Sequence, residues 1–124
     1  MIINKKIFLD TDIGDDIDDA LALIMLLKMN VEIVGISTVF KNTDLRARLA
    51  NKIVKMMNVN IPIYKGFSQP LTYQVDSNAS FSQFTEDLLE DKYKPINENE
   101  EDAIDALIDS CYKYGKDLVV IAIG

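Results

Sequence analysis

Six of the ten residues from Asp10 to Asp19 are aspartates: Asp10, Asp12, Asp15, Asp16, Asp18 and Asp19. Carboxylates at that density repel one another unless a proton or a cation sits among them. The chain has no histidine, and its one thiol, Cys111, lies far along the sequence, so every nearby donor is an oxygen. Such a set suits a hard ion, Ca²⁺ or Mg²⁺, rather than zinc. A helix macrodipole accounts for one or two of these charges, at ~0.3–1 kcal/mol each. It does not account for six, two of which precede the turn at Gly14. The spacing is not that of an EF-hand, where Gly14 and Leu21 fall at the wrong positions. A lone Gly14 is no dinucleotide fingerprint either.

Two elements must aim these oxygens. Lys6 to Thr11 is a short apolar run with an aspartate near its end, suited to a buried parallel strand. Asp18 to Met29 is apolar nearly all round (Ala20, Leu21, Leu23, Ile24, Leu26, Leu27), which predicts a largely buried helix. The aspartates therefore occupy a strand-to-helix turn. Further along, Val31 to Val39 predicts a second strand. Thr43 or Asp44 is suited to N-cap a helix over Leu45 to Met57, with Leu45, Leu49, Ile53 and Met56 on one face. Ile61 to Tyr64 predicts a short third strand. Strand and helix in alternation imply right-handed βαβ units and an α/β fold with a parallel sheet and flanking helices.

From Phe67 to Asn97 the periodicity dissolves, apart from a short helical stretch around Phe84 to Leu89. A loop of that length suits a lid, a binding loop or disorder. Glu98 to Tyr114 predicts an amphipathic helix with Ala103, Ile104, Leu107, Ile108 and Cys111 on its inner face and Gly115 at its end. Asp117 to Gly124 predicts a fully buried strand. Nothing follows Gly124, so residues 1–124 are expected to be the N-terminal part of a single larger α/β domain. Apolar surface left by an incomplete sheet invites self-association into a homo-oligomer.

Composition narrows the partners. With 48% hydrophobic and 27% charged residues the chain is globular in character. A net charge of −7, without a basic patch, argues against nucleic acid and anionic membranes. The acidic stretch from Glu86 to Asp102 reads as a solvated surface. Cys111 reads as a small buried hydrophobe, and no disulfide is possible within the chain. The aspartates come too early for a signal peptide, and the apolar run Ala20 to Leu27 is far short of the ~20 residues that span a bilayer. A cytoplasmic protein is expected.

The pattern Asp10-Thr11-Asp12-Ile13-Gly14, then Asp18-Asp19-Ala20-Leu21-Ala22-Leu23, resembles the inosine-uridine-preferring nucleoside hydrolases, whose hallmark is Asp-Thr-Asp-Pro-Gly followed by Asp-Asp-Ala. Gly35 to Asn42 is similar to that family's second-strand segment ending in Gly-Asn. Ile61 to Gly66 with Pro70-Leu71 matches its third-strand region. Leu118 to Gly124 resembles the strand that continues there into Gly-Pro-Leu-Thr-Asn. The resemblance implies a Rossmann-like, nucleoside hydrolase-like α/β fold, here incomplete at the C-terminus. It also implies Ca²⁺-dependent cleavage of the N-glycosidic bond of ribonucleosides. In that scheme Asp12 is a metal ligand and the base that activates a metal-bound water. Asp19 and the backbone carbonyl of Ile123 hold Ca²⁺, and Asp10 ligates or orients. Asp18 and Asn42 hydrogen-bond the ribose hydroxyls.

The chain departs from the hallmark in three ways. Ile13 replaces the proline, and two extra residues separate Gly14 from the Asp-Asp pair, so Asp16 competes with Asp18 for the ribose. The family's His-Gly-Asp-Gly segment is absent from residues 72–97. The family's later Asp ligand and base-pocket His belong to a C-terminal half beyond this chain, so the chain is expected to be inactive alone. Two other classes stay open. One is a non-catalytic binding or assembly fragment. The other is a Mg²⁺-dependent haloacid-dehalogenase-like phosphatase, although that motif needs Thr or Val where Gly14 stands.

Overall fold

A computed structural model describes residues 4–124. Its elements run β1 (Lys6–Thr11), α1 (Ile17–Lys28), β2 (Glu32–Thr38), α2 (Thr43–Met56), β3 (Ile63–Lys65), α3 (Glu101–Tyr114) and β4 (Leu118–Ala122). The four strands form one sheet in the order β3-β2-β1-β4, and every neighbouring pair is parallel. Parallel neighbours require crossovers, which the three helices supply. The α/β class expected from the alternation of elements is the one observed.

Alternation along β1 divides the layers. Ile7 and Leu9 join Leu23 of α1 and Ala47, Ala50 and Val54 of α2 in one buried core. Asp10, one residue on, points to the other face, where it shares a cleft with Ala103, Ile104 and Leu107 of α3. Side chains such as Ile7, Leu9, Leu23 and Ile36, all fully buried, each contribute ~1.5–3 kcal/mol. Register slips between Ile7 and Phe8, bringing Phe8 opposite Gly35. A Cβ on Gly35 would come within 2.6 Å of the Phe8 ring, so the absence of a side chain there makes room for it.

The order of strands decides where a ligand can sit. The chain moves outward from β1 to β2 and β3, then returns through α3 to place β4 on the other side of β1. The carboxyl ends of β1 and β4 therefore flank a topological switch point, where open parallel sheets form a ligand crevice. Asp10 and Ala122 are register partners there, and the Ile123 N–H continues the pairing by donating to the Asp10 carbonyl at 2.9 Å.

Several sequence expectations are corrected. α1 is not buried all round: Leu23 and Leu26 face the core, but Leu21 is 56% exposed and Met25 is exposed too. The helix is an outer layer with only one face on the sheet. The strand expected to be fully buried is the edge strand β4, with Val120 44% exposed. On α3 only Ala103 is buried; Ile104, Ile108 and Cys111 are exposed. Asn42, not Thr43 or Asp44, N-caps α2, its Oδ1 accepting the Leu45 N–H at 3.1 Å. Met56 is exposed because it lies at the last turn of α2, beyond the sheet. The helical stretch near Phe84 is a single 3₁₀ turn, Glu86–Leu89, anchored by buried Leu88.

Candidate active site

β1 ends at Thr11 and α1 begins at Ile17, so the five residues between them form the turn. A cavity of about 250 Å³ opens at this turn, lined by Asp12, Asp15, Asp16, Asp18, Asp19 and Ile123. It sits at the switch point between β1 and β4. A larger cleft of about 540 Å³, lined by residues such as Leu27, Val31, Val59 and Ile61, lies at the amino ends of the strands. Among the described residues its only titratable lining group is Glu32, so size does not mark the chemistry in this fold.

Within the smaller cavity the carboxylates are ranked by burial. Asp19 is buried in the first turn of α1, and Asp12 is partly buried; Asp15, Asp16 and Asp18 are exposed. Thr11 Oγ1, itself buried, donates to Asp19 Oδ2 at 2.5 Å and accepts the Ile13 N–H at 3.1 Å. Asp12 and Asp19 line the same cavity, where the charge of Asp19 acts on Asp12. Burial raises the Asp12 carboxyl above the ordinary carboxylate range. The Asp19 carboxylate raises it further, and Arg46 pulls part of that back.

Asp10 and Asn42 are not brought into this cavity. Asp10 faces the α3 side, where Ser37 Oγ donates to its Oδ1 at 2.6 Å. Burial raises its pKa, and the Ser37 bond offsets part of that rise. Asn42 has its Oδ1 committed to the α2 cap, leaving the amide hydrogens as donors. Among the described residues, no three Asp, Glu, His or Cys side chains converge closely enough to hold an ion by themselves. The Asp12–Asp19 pair thus fits a hard cation as part of a shell, with other oxygens completing the six to eight that Ca²⁺ takes.

Comparison with known proteins decides the family. A family model described as inosine-uridine preferring nucleoside hydrolase matches residues 7–124. The chain belongs to this nucleoside hydrolase family. Two pyrimidine-specific ribonucleoside hydrolases RihB, from Escherichia coli strains SE11 and O17:K52:H18 (UMN026), are 36% and 37% identical to it over 73 residues. The match covers 56% of this chain and 23% of each relative, so the chain spans about a quarter of their length. An inosine-guanosine nucleoside hydrolase structure superposes on 97% of this chain and 39% of its own, with a TM-score of 0.63 at 19% identity. That likeness bears on the fold.

In this nucleoside hydrolase chain, other residues that sequence reasoning did not single out hold the aspartate turn. Thr11 and Ser37 are hydroxyls aimed at Asp19 and Asp10. Arg46 of α2 reaches the backbone carbonyls of Asp12 and Ile13. The irregular segment is a strap: Ser82 Oγ donates to the Asp15 carbonyl, the Gln83 N–H to Gly14, and Gln83 Nε2 to Asp16. Only the position of Thr11 between two aspartates offered a signal in the sequence.

Gly14 has φ +135°, and a Cβ there would lie 2.8 Å from the Phe81 ring. Gly14→Ala is expected to cost about 2–3 kcal/mol in urea denaturation, since the backbone strain and the clash both act. Phe81→Leu in the Gly14→Ala background should recover only part of the loss, because the positive φ remains. Full recovery would show that the clash alone matters.

Proposed function

We propose that this chain carries the cation- and ribose-holding part of an N-ribohydrolase site, which cleaves ribonucleosides to ribose and free base. The observation that carries this reading is the placement of Asp12 and Asp19 together in a carboxylate-lined cavity at the switch point of a nucleoside hydrolase-family sheet. Asp19 and Asp12, with the backbone carbonyl of Ile123, would hold Ca²⁺. When bound, Ca²⁺ supplies Lewis acidity that makes water easier to deprotonate. Asp12 is the base: its carboxylate accepts the proton of the water that attacks C1′ as the C1′–N bond breaks. Charge building on the ribose as an oxocarbenium-like centre is stabilised by the surrounding aspartates.

Asp18 would accept hydrogen bonds from the ribose 2′- and 3′-hydroxyls, and Asn42 would donate from its free amide hydrogens. The two-residue insertion supports Asp18 over Asp16. Asp15 pairs with Arg46 and Asp16 precedes α1, so the extra residues are absorbed in the turn. Asp18 and Asp19 then occupy the first helical turn. Asp10, on the other side of the sheet, orients the strand end and does not ligate. The 124 residues contain no histidine to protonate a departing base, so the chain by itself binds without appreciable turnover.

Calorimetric titration with Ca²⁺, then with ribose, tests this. One Ca²⁺ site is expected, removed by EDTA, with ribose binding that depends on it. A reducing-sugar assay with uridine and inosine should stay at background. Turnover by the chain alone would overturn its inactivity. Absence of both binding events would leave an assembly role, and Mg²⁺-dependent phosphomonoester hydrolysis would replace the reading altogether.

A further inference from the structure

Arg46 is the largest fully buried side chain among the described residues, at 1% exposure. A guanidinium removed from water is costly unless its N–H groups are paired, so the placement of its partners carries information. Nη1 donates to the Asp12 carbonyl at 2.7 Å and the Ile13 carbonyl at 3.0 Å. Nη2 donates to Asp15 Oδ2 at 3.0 Å, and Nε to the Phe40 carbonyl at 2.8 Å. The guanidinium carbon lies 5.2 Å from the centroid of the Phe81 ring, within cation–π range. Three of its four acceptors are backbone oxygens, and they come from two different loops.

Those loops are the β1–α1 turn, which carries Asp12, and the β2–α2 turn, which carries Asn42. The second is strained: Phe40 and Lys41 are consecutive non-glycine residues with φ 75° and 59°. Such a turn persists only where its surroundings over-determine it, and the Nε bond to Phe40 is part of that restraint. A planar fork with fixed donor directions sets the spacing between the two loops in a way an ammonium cannot. The ion pair with Asp15 is a lesser component, since that carboxylate is half-exposed.

We infer that Arg46 is a positioning residue: its buried guanidinium clamps the Asp12 turn to the Asn42 turn, fixing the directions in which Asp12 and Asn42 project. The clamp gains a role in catalysis only through the function proposed above, on which that part rests. Asp12 cannot rotate about its backbone without breaking a 2.7 Å charge-assisted bond at its own carbonyl. A change at Arg46 therefore reaches the cation site through the backbone, with no contact to the ion.

The test compares the native chain with Arg46→Lys, Arg46→Met and Asp15→Asn. Hydrogen–deuterium exchange follows residues 10–17 and 38–43, and Ca²⁺ calorimetry is paired with Tb³⁺ luminescence lifetimes in H₂O and D₂O. Arg46→Lys keeps a buried positive charge and so guards against loss of the fold in Arg46→Met. Arg46→Lys is expected to fold, to lose protection in both loops together, and to bind Ca²⁺ at least tenfold more weakly. Its Tb³⁺ should carry one more water than in the native chain, a signature that loss of stability alone does not produce. Asp15→Asn removes only the half-exposed acceptor of the fork, so it should keep native exchange in residues 38–43. A folded Arg46→Lys with native exchange in either loop, or with native affinity and hydration number, overturns the inference. Should the native chain bind neither ion, the cation reading fails by itself. The clamp is then decided by exchange: joint loss of protection in both loops upholds it, and retention in either removes it.

Discussion

Asp12→Asn is expected to make the ion-free chain more stable while abolishing its affinity for Ca²⁺. Burial, then the Asp19 carboxylate, raises the Asp12 carboxyl above its ordinary 3.8. The folded state therefore binds a proton that the unfolded state has released, and in that pH window the stability of the native chain falls as pH rises. The penalty is absent below the ordinary carboxylate range and complete above the raised pKa. Asparagine keeps the shape, removes the charge and offers Asp19 a donor. Because solvent reaches Asp12, the gain near neutrality is modest, below ~1 kcal/mol.

The effect on the ion is large. Removing an ionised ligand from a pair that supplies only part of the shell should cost more than the about 10–100-fold typical of a lost supporting contact. Ca²⁺ at a hundred times its Kd should stabilise the native chain by about 2.7 kcal/mol and leave the variant unchanged. Urea denaturation between pH 4 and 8, with EDTA or with Ca²⁺, reads both effects. A variant that is less stable than native in EDTA, or that still responds to Ca²⁺, would remove Asp12 from the site.

The aspartate turn was legible because its information is local: an apolar run, six carboxylates and a glycine, then a helix. Alternating elements likewise give a parallel sheet whatever the details of packing. What the sequence hid depends on neighbours distant along the chain. A continuous apolar run such as Leu118 to Ala122 reads alike in a central or an edge strand, and only the β3-β2-β1-β4 order places it at the edge. Arg46 carries no signal in the sequence, because its acceptors at Asp12, Ile13 and Phe40 belong to other segments. Asn42, Thr43 and Asp44 are three consecutive residues able to cap, and composition does not choose among them. The apolar residues of α1 exceed what one sheet face can cover, so Leu21 and Met25 turn outward. Asp10 and Asp12 look equivalent in sequence, yet strand alternation and the turn send them to different cavities.

Thr11→Val should show how much of the site rests on one hydroxyl. Thr11 Oγ1 serves two buried partners, donating to Asp19 and accepting from the Ile13 N–H. Valine keeps the volume and the β-branching, so the strand and its packing survive. It removes both bonds, leaving a buried carboxylate oxygen and a backbone N–H without a partner. A hydrogen bond to an ionised group contributes ~1.5–3 kcal/mol, and an orphaned buried donor costs ~1–3 kcal/mol. The two losses share one oxygen and partly relax together, so the expected destabilisation is about 2–4 kcal/mol. Asp19 also loses the group that fixes its rotamer, which should weaken Ca²⁺ binding about 10–100-fold. Thr11→Ser restores the hydroxyl without the methyl and should recover most of both effects. Denaturation and calorimetry on the two variants separate the hydroxyl from the packing. A serine variant as impaired as valine would assign the role of Thr11 to its methyl group, and Asp19 would then owe its position to α1 alone.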